Sequence, residues 1–160
     1  MRSHMTPFIT RADITDMEEI LALQYLAYQS EALIHGDFTI QPLTQTLEES
    51  IAEYHSGVVL KMVLGGVIIG SVRARAEGGS VHIGKLIVHP GHRGRGLGKL
   101  LLASIEREFP GKRYELFTSG KSARNLHLYE AAGYTRHSVK TDSAGIEFVF
   151  LEKQCENGGD

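Results

Sequence analysis

The spacing of apolar residues changes period several times along the chain, and each change marks an element. Phe8 to Arg11 reads as a short strand. Thr15-Asp-Met-Glu18 has capping-box spacing and opens a helix with Met17, Leu21 and Tyr25 or Tyr28 along one side. Periodicity lapses from Ser30 to Pro42, a stretch holding His35, Gly36 and Asp37, which predicts a loop before a helix carrying Leu47, Ile51 and Tyr54. Val58 to Leu64 and Val67 to Ala76 are β-branched runs joined by Gly65-Gly66, the kind of dipeptide that turns a two-residue hairpin. Glu77-Gly78-Gly79-Ser80 then reverses the chain into a third strand, Val81 to Val88. Leu97, Leu101, Ile105 and Phe109 recur at helical spacing up to Pro110-Gly111 and predict an amphipathic helix packed on that sheet. Tyr114 to Thr118 reads as a strand and Ser122 to Ala132 as a helix with Gly133 at its C′ position. Tyr134 to Lys140 and Ile146 to Leu151 form a closing hairpin. This order predicts an α/β domain, a mixed sheet with helices on its faces.

Composition narrows the function classes. The 160 residues, 42% hydrophobic and 22% charged, suit one globular domain. Seventeen Lys+Arg against 19 Asp+Glu leave a net charge of -2, so nothing global attracts nucleic acid or an anionic membrane and any anion site must be local. A single cysteine, Cys155, excludes an intrachain disulfide and a cysteine-based zinc site, and no other metal site is expected; a reducing, cytoplasmic setting fits. The apolar stretch from Gly57 to Ile69 is broken by Lys61, Gly65 and Gly66, too short and interrupted to span a bilayer. Residues 1–4 read as an expression-vector scar, 5–154 as a single domain and 155–160 as a flexible polar tail. Glycine is in excess, and 11 of its 18 residues fall between Gly57 and Gly98.

The segment Leu86-Ile-Val-His-Pro-Gly-His-Arg-Gly-Arg-Gly-Leu-Gly98 carries the chemistry, for it runs an apolar strand into a basic glycine-rich loop that opens a helix. The first amides of a helix lack internal partners and carry the positive end of its dipole, and Gly94, Gly96 and Gly98 remove Cβ atoms that would hold a phosphate away. Arg93, Arg95 and Lys99 add charge. A P-loop would need Ser or Thr where Leu100 stands, and a dinucleotide fingerprint would need a different glycine spacing after a first βα unit. What remains is Arg-x-x-Gly-x-Gly at a strand-to-helix junction, followed by Asn125-Leu-His-Leu-Tyr129 and a helix ending in Gly133-Tyr134. Together these resemble the GCN5-related N-acetyltransferase (GNAT) superfamily over roughly residues 81 to 134.

That resemblance implies a mostly antiparallel sheet of about seven strands, its central parallel pair splayed apart, flanked by four helices. It implies acetyl-CoA as cosubstrate and an amine acceptor, a small molecule or a protein amino group, with a homodimer possible. Arg93, Gly94, Arg95, Gly96, Leu97, Gly98 and Lys99 would hold the pyrophosphate, and backbone groups of Leu86, Ile87 and Val88 the pantetheine. The Leu86 N–H is the natural oxyanion donor, Asn125 would hold the cofactor or an ordered water, and Tyr129 would protonate the departing thiolate. Where many members carry a strand glutamate as general base this chain has His82, with Glu147 or a water chain as rivals. The missing glutamate leaves open a non-catalytic sensor or interaction module that binds CoA. His92, Lys121 and Arg124 could add charge toward phosphates, or form a solvated face. His35 and Asp37 lie where the family builds its acceptor wall, while Arg73 and Arg75 could bind a carboxylate acceptor or face solvent.

Overall fold

The structure, a computed structural model, describes residues 6–154; the expected scar and tail lie outside the described residues. Seven strands form one sheet in the order β1-β2-β3-β4-β5-β7-β6. They are β1 (Phe8–Arg11), β2 (Val58–Leu64), β3 (Val67–Glu77), β4 (Ser80–Val88), β5 (Arg113–Ser119), β6 (Thr135–Thr141) and β7 (Glu147–Gln154). Every neighbouring pair is antiparallel except β4 and β5. Gly65 and Gly66 have φ of 58° and 82°, the double positive φ that a primed two-residue turn needs to follow the twist of β2 and β3.

The four expected helices are α1 (Met17–Ala27), α4 (Leu47–Ser56), α5 (Leu97–Arg107) and α6 (Ala123–Ala131). The chain expected to form a loop between α1 and α4 instead folds into α2 (Gln29–His35), which Gly36 ends at φ 65°, and a single turn, α3 (Gln41–Thr44). Sequence periodicity misses α2 for a physical reason: it buries Glu31 and Ala32 and leaves Leu33 and Ile34 in solvent. The start of α1 also differs from the expected Thr15 box. Asp13 donates its N–H to Asp16 Oδ2 at 2.8 Å, and a 3-10 turn, Ile14–Asp16, leads into the helix.

Two cores form, one on each side of the sheet. Leu97, Leu101, Leu102 and Ile105 of α5 and Leu126 and Tyr129 of α6 pack with Val72, Val81, Ile83, Leu116, Val149 and Leu151. Met17, Ile20 and Leu23 of α1 pack on Val59, Ile68 and Ile87 from the opposite face. Arg73 does not face solvent or wait for a carboxylate ligand. It is buried between β3, α1 and α4, donating to Glu53 Oε1 at 2.8 Å and, at 3.4 Å each, to Ser50 Oγ and Gln24 Oε1. Only Arg75 is exposed, paired with Glu77. Gln24 in turn donates to Gln45 Oε1 and the Pro42 carbonyl at 2.9 and 2.8 Å, which tethers the α3 turn beneath the sheet.

The feature that positions the site is where β4 and β5 part. Their pairing covers Ser80, Val81 and His82 against Arg113, Tyr114 and Glu115, and stops there. Across the β3–β4 ladder Ser71 faces Ile87 but Arg73 faces Gly84, so Lys85 and Leu86 oppose the single residue Val72. Such a bulge bends its strand, and Lys85 adopts φ 49°, the left-handed region that side chains other than glycine rarely occupy. Past it β4 runs on toward Val88 with no partner on its β5 side.

Close approach makes one glycine obligatory. A Cβ on Gly57 would lie 2.1 Å from the Ala74 carbonyl oxygen, a backbone atom that cannot swing aside. Gly57→Ala is expected to cost about 2 kcal/mol of stability through overpacking, read as a lowered urea midpoint; an unchanged midpoint would refute the contact.

Candidate active site

The gap between β4 and β5 opens into a cleft of about 1190 Å³. Its walls come from β4, the loop into α5, β5, α6, the α1–α3 segment and the β6–β7 hairpin.

The loop is a ready anion cradle. His89 Nδ1 accepts the Gly91 N–H at 2.9 Å and caps a 3-10 turn, Pro90–His92, which sets the loop's entry. Gly94 and Gly96 then take φ of 80° and 75°, and Gly96 is the N-cap of α5. Among the described residues no backbone amide from Arg93 to Lys99 finds an acceptor; the first that does is Leu100, which donates to the Gly96 carbonyl at 3.3 Å. Successive unpaired amides at a helix start, with two left-handed residues among them, form a concavity that suits phosphate oxygens.

The three glycines are needed for different reasons. A Cβ on Gly94 or Gly96 would meet nothing within 4 Å, so their requirement is conformational and the space before them is open. A Cβ on Gly98 would lie 3.3 Å from Leu128 Cδ2, so this glycine serves the contact between α5 and α6 as well as the cradle. Arg93 also departs from a simple phosphate contact. Its guanidinium donates to the Ala27 carbonyl at 2.8 Å, satisfying an orphan acceptor at the end of α1. Burial, with Arg124 nearby, lowers its pKa from the ordinary guanidinium value, and Glu31 opposes the shift. Lys99, His92 and Arg124 line the cleft; Lys121 and Arg95 do not, and Arg95 lies 3.4 Å from the His92 ring.

The strand residues divide their roles as alternation demands. Leu86 and Val88 pack toward the α5–α6 core and Ile87 toward α1, while all three line the cleft. Across the gap, Asn125 donates from Nδ2 to Thr118 Oγ1 at 3.2 Å and ties α6 to β5. Tyr129, one turn on, is buried, with its ring 6.2 Å from that of Tyr134. Its hydroxyl reaches the cleft wall and has no hydrogen-bond partner among the described residues. Burial first, then Tyr28 and Glu31, raise its pKa above that of an ordinary phenol.

The two residues considered for the base lie elsewhere. His82 sits at the closed end of the β4–β5 pair, 3.8 Å from carboxylate oxygens of both Glu77 and Glu115, and does not line the cleft. Glu147 is exposed and also off the cleft wall. Other side chains take the wall instead. Lys85 projects from the bulge to within 3.7 Å of Glu53 Oε1, and burial lowers its pKa against the pull of that carboxylate. Tyr28 is pushed up to about 12, by burial first and then by Glu31. Phe117, Phe148 and Phe150 line the far wall. Their signal was present in the sequence: β7 alternates Phe148 and Phe150 with buried Val149 and Leu151, so both faces of the strand are apolar and the second face has a task of its own.

Among the described residues no helix is long and apolar enough to cross a membrane, and no His, Cys, Asp and Glu cluster could hold a metal ion. Comparison with known proteins agrees with the geometry. Mycothiol acetyltransferase of Kineococcus radiotolerans is 36% identical over 74 residues, covering 44% of this chain and 24% of that protein. The YqkA protein of Bacillus subtilis is 25% identical over 143 residues, covering 89% of this chain and 41% of that one. The chain thus spans less than half of either relative. PaiA N-acetyltransferase of Thermoplasma acidophilum, solved with coenzyme A, superposes with a TM-score of 0.76 at 15% identity, covering 94% of this chain and 99% of that one. YncA of Salmonella typhimurium, solved with acetyl-CoA, gives 0.73 at 22% identity, covering 97% and 96%. The acetyltransferase (GNAT) domain family matches residues 26–155, and with the splayed sheet and amide-lined loop this makes the chain a member of the GNAT acetyltransferase family.

Proposed function

We propose that the protein transfers the acetyl group of acetyl-CoA to a primary amine, on a small molecule or a protein, by direct attack on the thioester. One observation carries this reading: Arg93, Gly94, Gly96, Leu97, Gly98 and Lys99, whose amides are unpartnered, line one cleft with Tyr129, whose hydroxyl is unpartnered. Acetyl-CoA supplies the activated acyl group. The amides of the loop, with Lys99 beside them, bind the pyrophosphate, and the unpaired edge of Leu86, Ile87 and Val88 takes the pantetheine as a strand would be taken. The Leu86 N–H donates to the thioester carbonyl oxygen, where negative charge develops. Asn125 holds the β5 side of the gap, and Tyr129 gives its proton to the leaving sulfur. With His82 and Glu147 both off the cleft wall, a water chain carries away the ammonium proton.

A CoA-binding module without catalysis is the second reading, favoured by the lack of a β4 carboxylate in the cleft. Thiol release from acetyl-CoA across a panel of amines separates the two: tight CoA binding with no release on any amine selects the module.

Four outcomes are expected. Gly96→Ala, strained at φ 75° and carrying a methyl into the cradle, raises the calorimetric Kd for CoA, by about tenfold. Tyr129→Phe folds normally yet loses about a hundredfold in kcat; full turnover would remove the general-acid role. Because its phenol is raised, the competent protonated form persists to higher pH, so kcat should not fall through Tyr129 ionisation below about pH 10. A wild-type decline below that pH that Tyr129→Phe abolishes would reverse the assignment. His82→Ala should leave the acidic limb of the pH–rate profile in place, and its loss would return the base to His82.

A further inference from the structure

Four carboxylates line the cleft, and three of them are already engaged. Glu53 lies 2.8 Å from the Arg73 guanidinium and 3.7 Å from the Lys85 ammonium. Asp37 accepts from the Thr39 N–H and hydroxyl at 2.8 and 2.5 Å. Asp142 Oδ1 accepts the N–H groups of Ala144 and Ile146, both at 2.9 Å. Glu31 is the exception. It is only 9% exposed, and its one hydrogen bond comes from a neutral donor, the Ser122 hydroxyl, at 3.1 Å to Oε2. Its Oε1 has no partner, and among the described residues no cation pairs with it. A carboxylate drawn this far from water is costly unless a cation meets it.

The far wall is apolar where a sheet surface is ordinarily polar. Phe117 is 56% exposed, with the Phe148 ring 5.6 Å away nearly edge-on and the Phe150 ring 5.1 Å away at 31°. The three rings project from β5 and β7 on the side opposite Leu116, Val149 and Leu151, so the core has no use for them. Lys140 places its ammonium 4.8 Å over Phe150, a cation–π contact within the wall itself.

Resting on the acetyl-transfer reading, we infer that the acceptor is a primary amine carried on an apolar, ring-sized body, its ammonium received by Glu31 and its body laid against Phe117, Phe148 and Phe150. A linear polyamine would meet one free carboxylate and leave the rings in water; an arylalkylamine carries a partner for each. The groups that face Glu31 from its surroundings are the Arg93 guanidinium, which donates to the Ala27 carbonyl, keeps its charge and lies beyond ion-pair distance, and the neutral hydroxyls of Tyr28, Tyr129 and Ser122.

Calorimetric titration of the CoA-loaded protein with phenethylamine, 2-phenylethanol and putrescine tests this without relying on turnover. Phenethylamine is expected to bind about tenfold or more tightly than either of the others, one lacking the charge and the other the ring. Glu31→Gln keeps an acceptor for Ser122 and removes only the charge, so it should abolish the preference over 2-phenylethanol while CoA affinity and Tm hold. Phe117→Ala should abolish the preference over putrescine. Absence of phenethylamine binding, tighter binding of putrescine, or an undiminished preference in Glu31→Gln would each overturn the inference. If phenethylamine binds as expected but releases no thiol from acetyl-CoA, the acetyl-transfer reading fails and the acceptor site stands. If thiol is released only with amines that lack an apolar body, the acceptor site fails alone.

Discussion

Backbone amides and carbonyls removed from water have to be paired, and in this sheet the obligation is left open along half of one strand. Strand β4 is paired with β3 on both sides of its bulge, yet beyond His82 its other edge faces a gap. The bulge at Lys85 and Leu86, opposed by Val72 alone, turns the strand from β5 and makes the gap possible. The cleft follows from that opening. Its near wall is the free edge of β4, its far wall is β5 with β7, and α6 stands across it, joined to β5 by the Asn125–Thr118 hydrogen bond.

The same economy governs charge. A chain of net charge -2 offers an anion little at long range, and the loop after β4 compensates at short range with amides that need no counterion. Side-chain cations play a smaller part than their number in the loop suggests. Arg93 is spent on the end of α1 and Arg95 lies off the cleft wall, which leaves Lys99 with His92 and Arg124. Backbone groups fix a direction of approach, because amides at a helix start point one way while long basic side chains sweep a volume.

The chain elements bearing chemistry were legible wherever the requirement was local. Glycines at positive φ, the apolar stripe of α5 and the paired turns of β2, β3 and β4 depend on neighbours in sequence, and each stands where the pattern put it. Helix α2 was not legible, because it buries a glutamate and an alanine while exposing Leu33 and Ile34. Arg73 was misplaced for a similar reason: alternation gives its face, but only the packing of α1 and α4 over β3 makes that face an interior.

The sequence by itself determined the order of the strands and of the helices other than α2 and α3, and the amide-rich loop, for these rest on periodicity and on φ angles only glycine tolerates; the pairing of that loop with Asn125 and Tyr129 on a later helix is what the family resemblance implies. Tertiary structure alone decided the cleft walls that face the loop. Position along β4 suggested His82 for the cleft, and the parallel pairing that ends at this residue puts it at the closed end between Glu77 and Glu115. Glu31 and Phe117 are separated by 86 positions and come to line one cavity because the sheet splays between them. Distances across such a gap are set by how helices and strands pack together, which no local pattern encodes.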